Sequence, residues 1–522
     1  MASTDTAHVE HPPLKGGALV MGTLALSLAT FMNVLDSSIA NVSVPAIAGD
    51  LGVSPSQGTW VITSFGVANA ISVPLTGWLT QRFGAVRLFV SAILLFVIAS
   101  WACGLAHSLN ALVIYRVVQG LVAGPMIQLS QTLLLASYPR AKAGMALAMW
   151  SMTTLVAPVI GPLLGGWITD NISWPWIFYI NVPVGLAAGA MTWAIYRHRE
   201  TPRRSLPIDR IGLGLLVVGI GALQLMLDKG QEEAWFESPH ILTLLAVSVV
   251  ALIALVIWEL DDPHPVVALR LFKRRNFTIG VFVNSLGYAI FVGNMVLLPL
   301  WLQQHMGYNA TVAGTVMAPV GILAIVVAPI IGRLLGKVDP RIFATVAFVT
   351  FASVFWMRSQ FTTDTDLVHL MLPTLLQGAA LPLFFMPTTA ITLAGTTPAD
   401  MPAATGLSNA VRITAGAMGT SIATTLWERR TTLHRAHLTE LLAQGDAALQ
   451  STLASLQAGG LSRDAALAVM SRTLDQQAAT RGMDDVFLLS SGLLLMVIGL
   501  VWLVQRPKAA GSSSDAAAAA AH

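Results

Sequence analysis

The sequence predicts an all-α integral membrane protein with fourteen transmembrane helices. Composition, the lengths of the apolar runs and the placement of basic residues each point there. Of the 522 residues 55% are hydrophobic and only 11% are charged, with a mean hydropathy of +0.70, and a soluble domain cannot cover that much apolar surface with so few polar groups. A helix needs about 20 apolar residues to cross roughly 30 Å of hydrocarbon. Fourteen segments meet that length, at roughly 18–42, 59–79, 88–107, 110–133, 143–168, 176–196, 210–228, 240–259, 277–302, 310–332, 342–359, 367–393, 402–425 and 484–504. With the N-terminus inside, the cytoplasmic segments hold 19 Lys and Arg, among them Arg82, Arg87, Arg140, Lys142, Arg270, Lys273 and Arg341, whereas the short outside loops hold only Lys229 and Arg358. That asymmetry places both termini inside and requires an even number of spans. The net charge of +3 therefore reads as a topology signal, and no nucleic-acid partner is expected.

In chain order, residues 1–16 form a polar cytoplasmic tail without the basic start and cleavage site of a signal peptide. Residues 17–196 form a first six-helix bundle, and 197–262 hold two further helices. Residues 263–427 carry the main part of a second bundle, 428–483 lie outside the membrane, 484–505 form the last span, and 506–522 are a low-complexity tail. The first span contains Leu35–Pro45, in which Asp36 follows a long apolar run. A carboxylate in hydrocarbon costs several kcal/mol without a partner, a water path or a proton, so Asp36 is a functional candidate. The single cysteine, Cys103, excludes a disulfide framework and any CxxC metal site. The outside segment has Leu and Ala at helical spacing on either side of Gly459-Gly460, which reads as a helical hairpin.

The chain also repeats itself. At an offset of 258, Gln119-Gly120 falls on Gln377-Gly378, Ala157 and Gly161 fall on Ala415 and Gly419, and Asp36 falls on Asn294. Two pseudo-symmetric six-helix halves, with spans seven and eight inserted between them, explain these matches.

On these residues the sequence resembles the major facilitator superfamily, in its fourteen-helix drug/proton antiporter branch. Leu35–Pro45 resembles that branch's first-helix motif, Leu112–Gly124 with Arg116 its fourth-helix motif, and Gly161-Pro162-Leu-Leu-Gly165-Gly166, preceded by Ala157, the antiporter motif of helix five. The loop carrying Gly77, Arg82, Gly84 and Arg87 is similar to the superfamily's first cytoplasmic loop, with Gln81 where an aspartate is usual. The resemblance implies a major facilitator fold in a bacterial inner membrane. It implies proton-driven export of hydrophobic drugs or toxic amphipathic compounds, powered by the proton gradient without a cofactor. Exporters of this branch work with a periplasmic membrane-fusion adaptor and an outer-membrane channel, and the hairpin at 428–483 is then a docking element; a solvated linker is the other reading.

Physical reasoning adds to each motif. Asp36 and Arg116, seven residues into a span entered from outside, lie at similar depth, about 1.5 Å of rise per residue being allowed. An arginine favours the charged carboxylate and burial the protonated one, so opening toward one side can switch the proton; a static ion pair is the alternative. Pro162 with Gly161, Gly165 and Gly166 predicts a kinked, closely packed seam, which serves as a gate or as plain packing. Arg82 and Arg87 either meet helix ends and acids of the neighbouring bundle or only set topology. Asn33, Gln128, Gln131, Asn284, Asn294, Gln377, Phe384 and Phe385 are candidates to line a cavity for bulky amphipathic compounds. With no second carboxylate within the spans, neutral or weakly acidic substrates are expected over strongly cationic ones. Arg412, near the cytoplasmic end of its span, reads as a snorkelling side chain.

No GxSxG, HExxH or phosphate-loop motif is present, so neither an enzyme nor a nucleotide-driven pump is expected, and no metal site. Export of one specific metabolite or toxin on the same fold is a second reading, and a sensor or receptor without flux a third.

Overall fold

A computed structural model describes residues 12–139, 157, 160–201, 203, 209–230, 233, 235–262, 267, 269–335, 337–396, 401–444 and 446–505. Most of both terminal tails, the first part of the expected fifth span with Arg140 and Lys142, and Arg204 lie outside the described residues.

The described residues are helical, without a strand. The helices are α1 Gly16–Asp50, α2 Trp60–Phe83, α3 Ala85–Gly104, α4 Leu109–Ser137, α5 160–171, α6 Trp176–Tyr196, α7 Arg210–Lys229 and α8 Pro239–Asp261. They continue with α9 Arg275–Gln304, α10 Ala310–Leu334, α11 Pro340–Arg358, α12 Leu367–Leu393, α13 Met401–Gln444, α14 Asp446–Ala458 and α15 Arg463–Trp502. Among the described residues eleven helices are long and apolar enough to cross a membrane, or twelve if the bent stretch Pro55–Phe83 is one span. The other two expected spans are α5, whose start lies outside the described residues, and α13. The membrane part of α13 is rich in Gly, Ala, Ser and Thr and carries Arg412. It packs against α9, α2 and α15, so its surface meets helices, where small residues allow close approach.

The two halves repeat one pattern of contacts. In the first, α4 packs on α1, α2 and α3, and α6 on α1 and α3; in the second, α12 packs on α9, α10 and α11, and α15 on α9 and α11. Glycine marks the equivalence. A Cβ on Gly120 would lie 2.4 Å from the Phe65 carbonyl oxygen, and one on Gly378 1.9 Å from that of Val320, so both positions require a bare backbone.

Helix α7 lies against α2 and α13, with Leu213 and Ile220 on Val67, Ile71 and Ala417 and Gln224 Nε2 donating to Ser421 Oγ at 2.7 Å. Helix α8 packs chiefly on α7 and exposes Val249, Val250, Ile253 and Ile257.

The arms of the outside hairpin are extensions of the spans themselves: α13 continues unbroken to Gln444 and α15 starts at Arg463, with α14 and the turn at Gly460 (φ +92°) between them. The arms are fastened by Trp427 Nε1 donating to the Ala479 carbonyl at 2.8 Å, by His434 with Asp485 at 2.8 Å and by Arg435 with Asp475 at 2.8 Å. Arg358 is no loop residue; it ends α11 fully buried, because its guanidinium turns inward to the bundle.

Candidate functional site

Asp36 and Arg116 meet. Helix α1 brings Asp36 into the middle of the first half, where it is completely buried, and Arg116 on α4 places Nη1 2.5 Å from Asp36 Oδ2. The other carboxylate oxygen, Oδ1, accepts from Gln119 Nε2 at 3.0 Å and Asn181 Nδ2 at 2.7 Å. Arg116 also donates through Nη1 to Gln119 Oε1 at 2.7 Å and through Nε to the Val61 carbonyl at 2.9 Å, with the Phe65 ring 4.3 Å from its guanidinium carbon. Asn181 donates in addition to Ser100 Oγ, which itself donates to the Phe178 carbonyl. Donors from α4 and α6 thus converge on the carboxylate of α1, and Ser100 of α3 supports Asn181 from behind.

All three contacts run from donors to the carboxyl oxygens, which between them offer about four acceptor sites, so one site stays open to a proton. An O–H formed there is a new donor and needs an acceptor from a side chain that turns or a group that enters the site.

The helix-five glycines bind this centre to the opposite half. A Cβ on Gly161 would sit 2.6 Å from Ser38 Oγ, and one on Gly165 2.8 Å from the Ile39 carbonyl oxygen, two and three residues beyond Asp36. A Cβ on Gly166 would sit 2.3 Å from the carbonyl oxygen of Ala310 in α10, where Gly314 in turn meets the Pro162 carbonyl. Asp170 closes the seam by accepting the backbone N–H of Ala310 at 3.2 Å and of Thr311 at 2.6 Å, the usual treatment of a helix N-terminus by an acid. Gln303 Nε2 adds a bond to the Val42 carbonyl at 2.9 Å. Ala157 is buried. At this same end a cleft of about 250 Å³ opens between the Pro55–Thr59 turn and α9 and α13, lined by His305, Trp427 and Glu428 among others.

At the other end, Gly84 adopts φ +89° and leaves room for Glu200, whose carboxylate accepts the Val86 and Arg87 backbone N–H groups at 3.0 Å each. Arg87 Nε lies 3.9 Å from Glu200, so its acid comes from its own half, beyond α6. Gly77 has open space beside it.

The expected cavity residues divide. Asn33 donates to the Ala123 carbonyl, Asn294 to Ser490 and the Ile290 carbonyl, Gln377 accepts from Arg358, and Phe384 is buried against Phe348 and Phe351. These four make those contacts within one half. Gln128, Gln131 and Phe385 are partly exposed, and Asn284 is buried with Oδ1 unbonded. Phe385 and Tyr288 flank Arg412, at 5.4 and 5.0 Å from its guanidinium carbon. Its guanidinium lies against these rings. Sequence reasoning missed Asn181, Ser100 and the role of Gln119; an amide beside Pro183 in an apolar run was the only available sign of Asn181.

With this geometry the comparisons fall into place. The sequence matches the Major Facilitator Superfamily over residues 26–420. The chain belongs to that superfamily. Among curated superfamily members it is 51% identical to the Multidrug export protein EmrB of Haemophilus influenzae, over 95% of this chain and 98% of that one. It is 50% identical to EmrB of Escherichia coli K12, over 97% and 99%, and 48% identical to the Fatty acid resistance protein FarB of Neisseria gonorrhoeae, over 96% and 98%. Among solved structures, a bacterial homolog of the human lysosomal transporter Spinster, inward-facing and occupied, aligns with a TM-score of 0.61 at 16% identity, over 94% of this chain and 97% of that one. This chain is accordingly a multi-pass membrane transporter of the superfamily, of EmrB type.

Proposed function

We propose that this protein is a proton-driven antiporter that exports hydrophobic or amphipathic compounds across the bacterial inner membrane, with both termini cytoplasmic. The observation that carries the reading is the buried Asp36, bonded by Arg116, Gln119 and Asn181. Asp36 is fully buried, and the Gly161–Gly166 seam closes the end at which α1 finishes, the outside in the topology proposed here. A proton taken up from the outside when the seam is open displaces substrate outward, and the protonated, substrate-free form closes at the seam through contacts of α5 with α1 and α10 that leave no room for slack. Substrate entering from the inside then expels the proton inward, and the substrate-loaded, deprotonated form opens again at the seam. The EmrB relatives are named as multidrug export proteins and the FarB relative as a fatty acid resistance protein, which supports export of several apolar compounds. The hairpin formed by α13, α14 and α15 is the part of the chain reaching furthest beyond the membrane on that side and is the docking element for a periplasmic adaptor, leading to an outer-membrane channel.

The test is flux in proteoliposomes under an imposed pH gradient, across a panel of hydrophobic compounds. Wild-type protein accumulates them against their gradient, and Asp36→Asn, folded and monodisperse, does not. Uphill transport at the wild-type rate by that variant removes Asp36 from the mechanism.

A further inference from the structure

Arg412 sits within the membrane part of α13 with no carboxylate paired to it among the described residues. Its Nε is sealed from solvent and makes no hydrogen bond, while the side chain as a whole is partly exposed. The rings of Tyr288 from α9 and Phe385 from α12 flank the guanidinium, and those two rings contact each other edge to face at 5.9 Å. A cation held among rings keeps some stabilisation, but a desolvated guanidinium without an anion is an expensive arrangement. The buried Arg358 shows the contrast. Two of its nitrogens are also unbonded, but it is fully enclosed and already donates to Thr374 and Gln377, so no ligand reaches it. Arg412 is reachable. Asp36 is meanwhile fully buried and bonded by Arg116, Gln119 and Asn181.

We propose that Arg412, between Tyr288 and Phe385, is the residue that selects substrates bearing an ionised carboxylate or similarly small organic anion on an apolar body. The two rings take the apolar part next to the head group, and the guanidinium takes the charge in a forked contact. The proposal rests on the export reading above and narrows it to one substrate chemistry and one residue.

Equilibrium binding separates the two. Radiolabelled dodecanoate and its methyl ester are titrated against the full chain in nanodiscs at about pH 8, where the acid is ionised. Wild-type protein binds the acid about tenfold or more tighter than the ester; Arg412→Gln brings the acid down to the level of the ester and leaves ester binding unchanged, and Arg412→Lys restores part of the preference. Equal binding of acid and ester by the wild type, no binding of either, or an Arg412→Gln chain that loses both alike overturns the proposal. Because no pH gradient enters the measurement, protein that shows the preference but moves neither probe in proteoliposomes contradicts the antiporter reading alone.

Discussion

Three donors around one acid make each of them a lever on its proton. Asn181 contributes a 2.7 Å bond to Asp36 Oδ1, and a hydrogen bond to a charged group is worth about 1.5–3 kcal/mol. Removing it takes away one of the three donors that hold the carboxyl in place. Asn181→Ala is expected to slow export driven by a pH gradient about tenfold or more, with equilibrium binding of substrate unchanged. Export at the wild-type rate assigns Asn181 to packing. Asp36 and Arg116 were legible in the sequence because charge inside an apolar run is costly and therefore conspicuous. Asn181 was not, since a neutral amide costs little and is common in spans. Arg358 misled for a related reason: hydropathy ends a span at an arginine and cannot tell whether the side chain reaches for water or folds back onto Gln377.

Among the helices, the seam of α1, α5 and α10 joins the proton site to the other half. Gly166 faces the Ala310 carbonyl so closely that even a methyl group forces backbone to move, and over-packing of this kind costs about 1–3 kcal/mol. The penalty falls on the closed state only, so Gly166→Ala is expected to shift the balance toward opening about tenfold. The measurement is passive loss of preloaded substrate from proteoliposomes without a pH gradient, faster in the variant; equal loss contradicts a gating role. The offset of 258 residues extends further than the sequence motifs implied. Gln119 and Gln377 each accept from an arginine, but Arg116 corresponds to Thr374, while Arg358 corresponds to Ser100 and Asn294 to Asp36. The second half keeps the amide and the guanidinium, on a different helix, and lacks the acid. Helix-to-helix equivalence was readable from glycines; the relocation of the arginine needed packing, which periodicity does not carry. The same holds for α13, whose helical spacing runs on past the membrane without any mark of where lipid ends.

For the molecule as a whole, the two halves meet firmly at the seam, at Gln303 with Val42, and along α2 and α13, with α7 laid across that junction. The cleft at the seam end is lined in part by a histidine. His305 packs edge to face on Trp427 at 5.6 Å, and its burial lowers its pKa below the usual 6.5, with Asp475 opposing in part. The folded state therefore binds a proton less readily than the unfolded one, and the stability His305 permits is full above 6.5 and lost as pH falls through the window down to the lowered value. Thermal unfolding in detergent is expected to show a fall in Tm below 6.5 that His305→Phe reduces; an identical fall in the variant places its origin elsewhere. The fourteen-helix architecture, the halves and the acid–arginine pair were all present in the sequence as apolar length, repeat and isolated charge. The cleft, the seam's partner in α10 and the ring-flanked Arg412 depend on which faces meet across the halves, and no local pattern encodes that.

The central claim is that Asp36 exchanges its proton as substrate binds. The most direct measurement is the pH change on adding substrate to purified protein in weakly buffered solution, for wild type and for Asp36→Asn. Wild-type protein is expected to release protons in proportion to substrate bound, and the variant, while still binding, to release none. Equal release from both proteins would contradict the account.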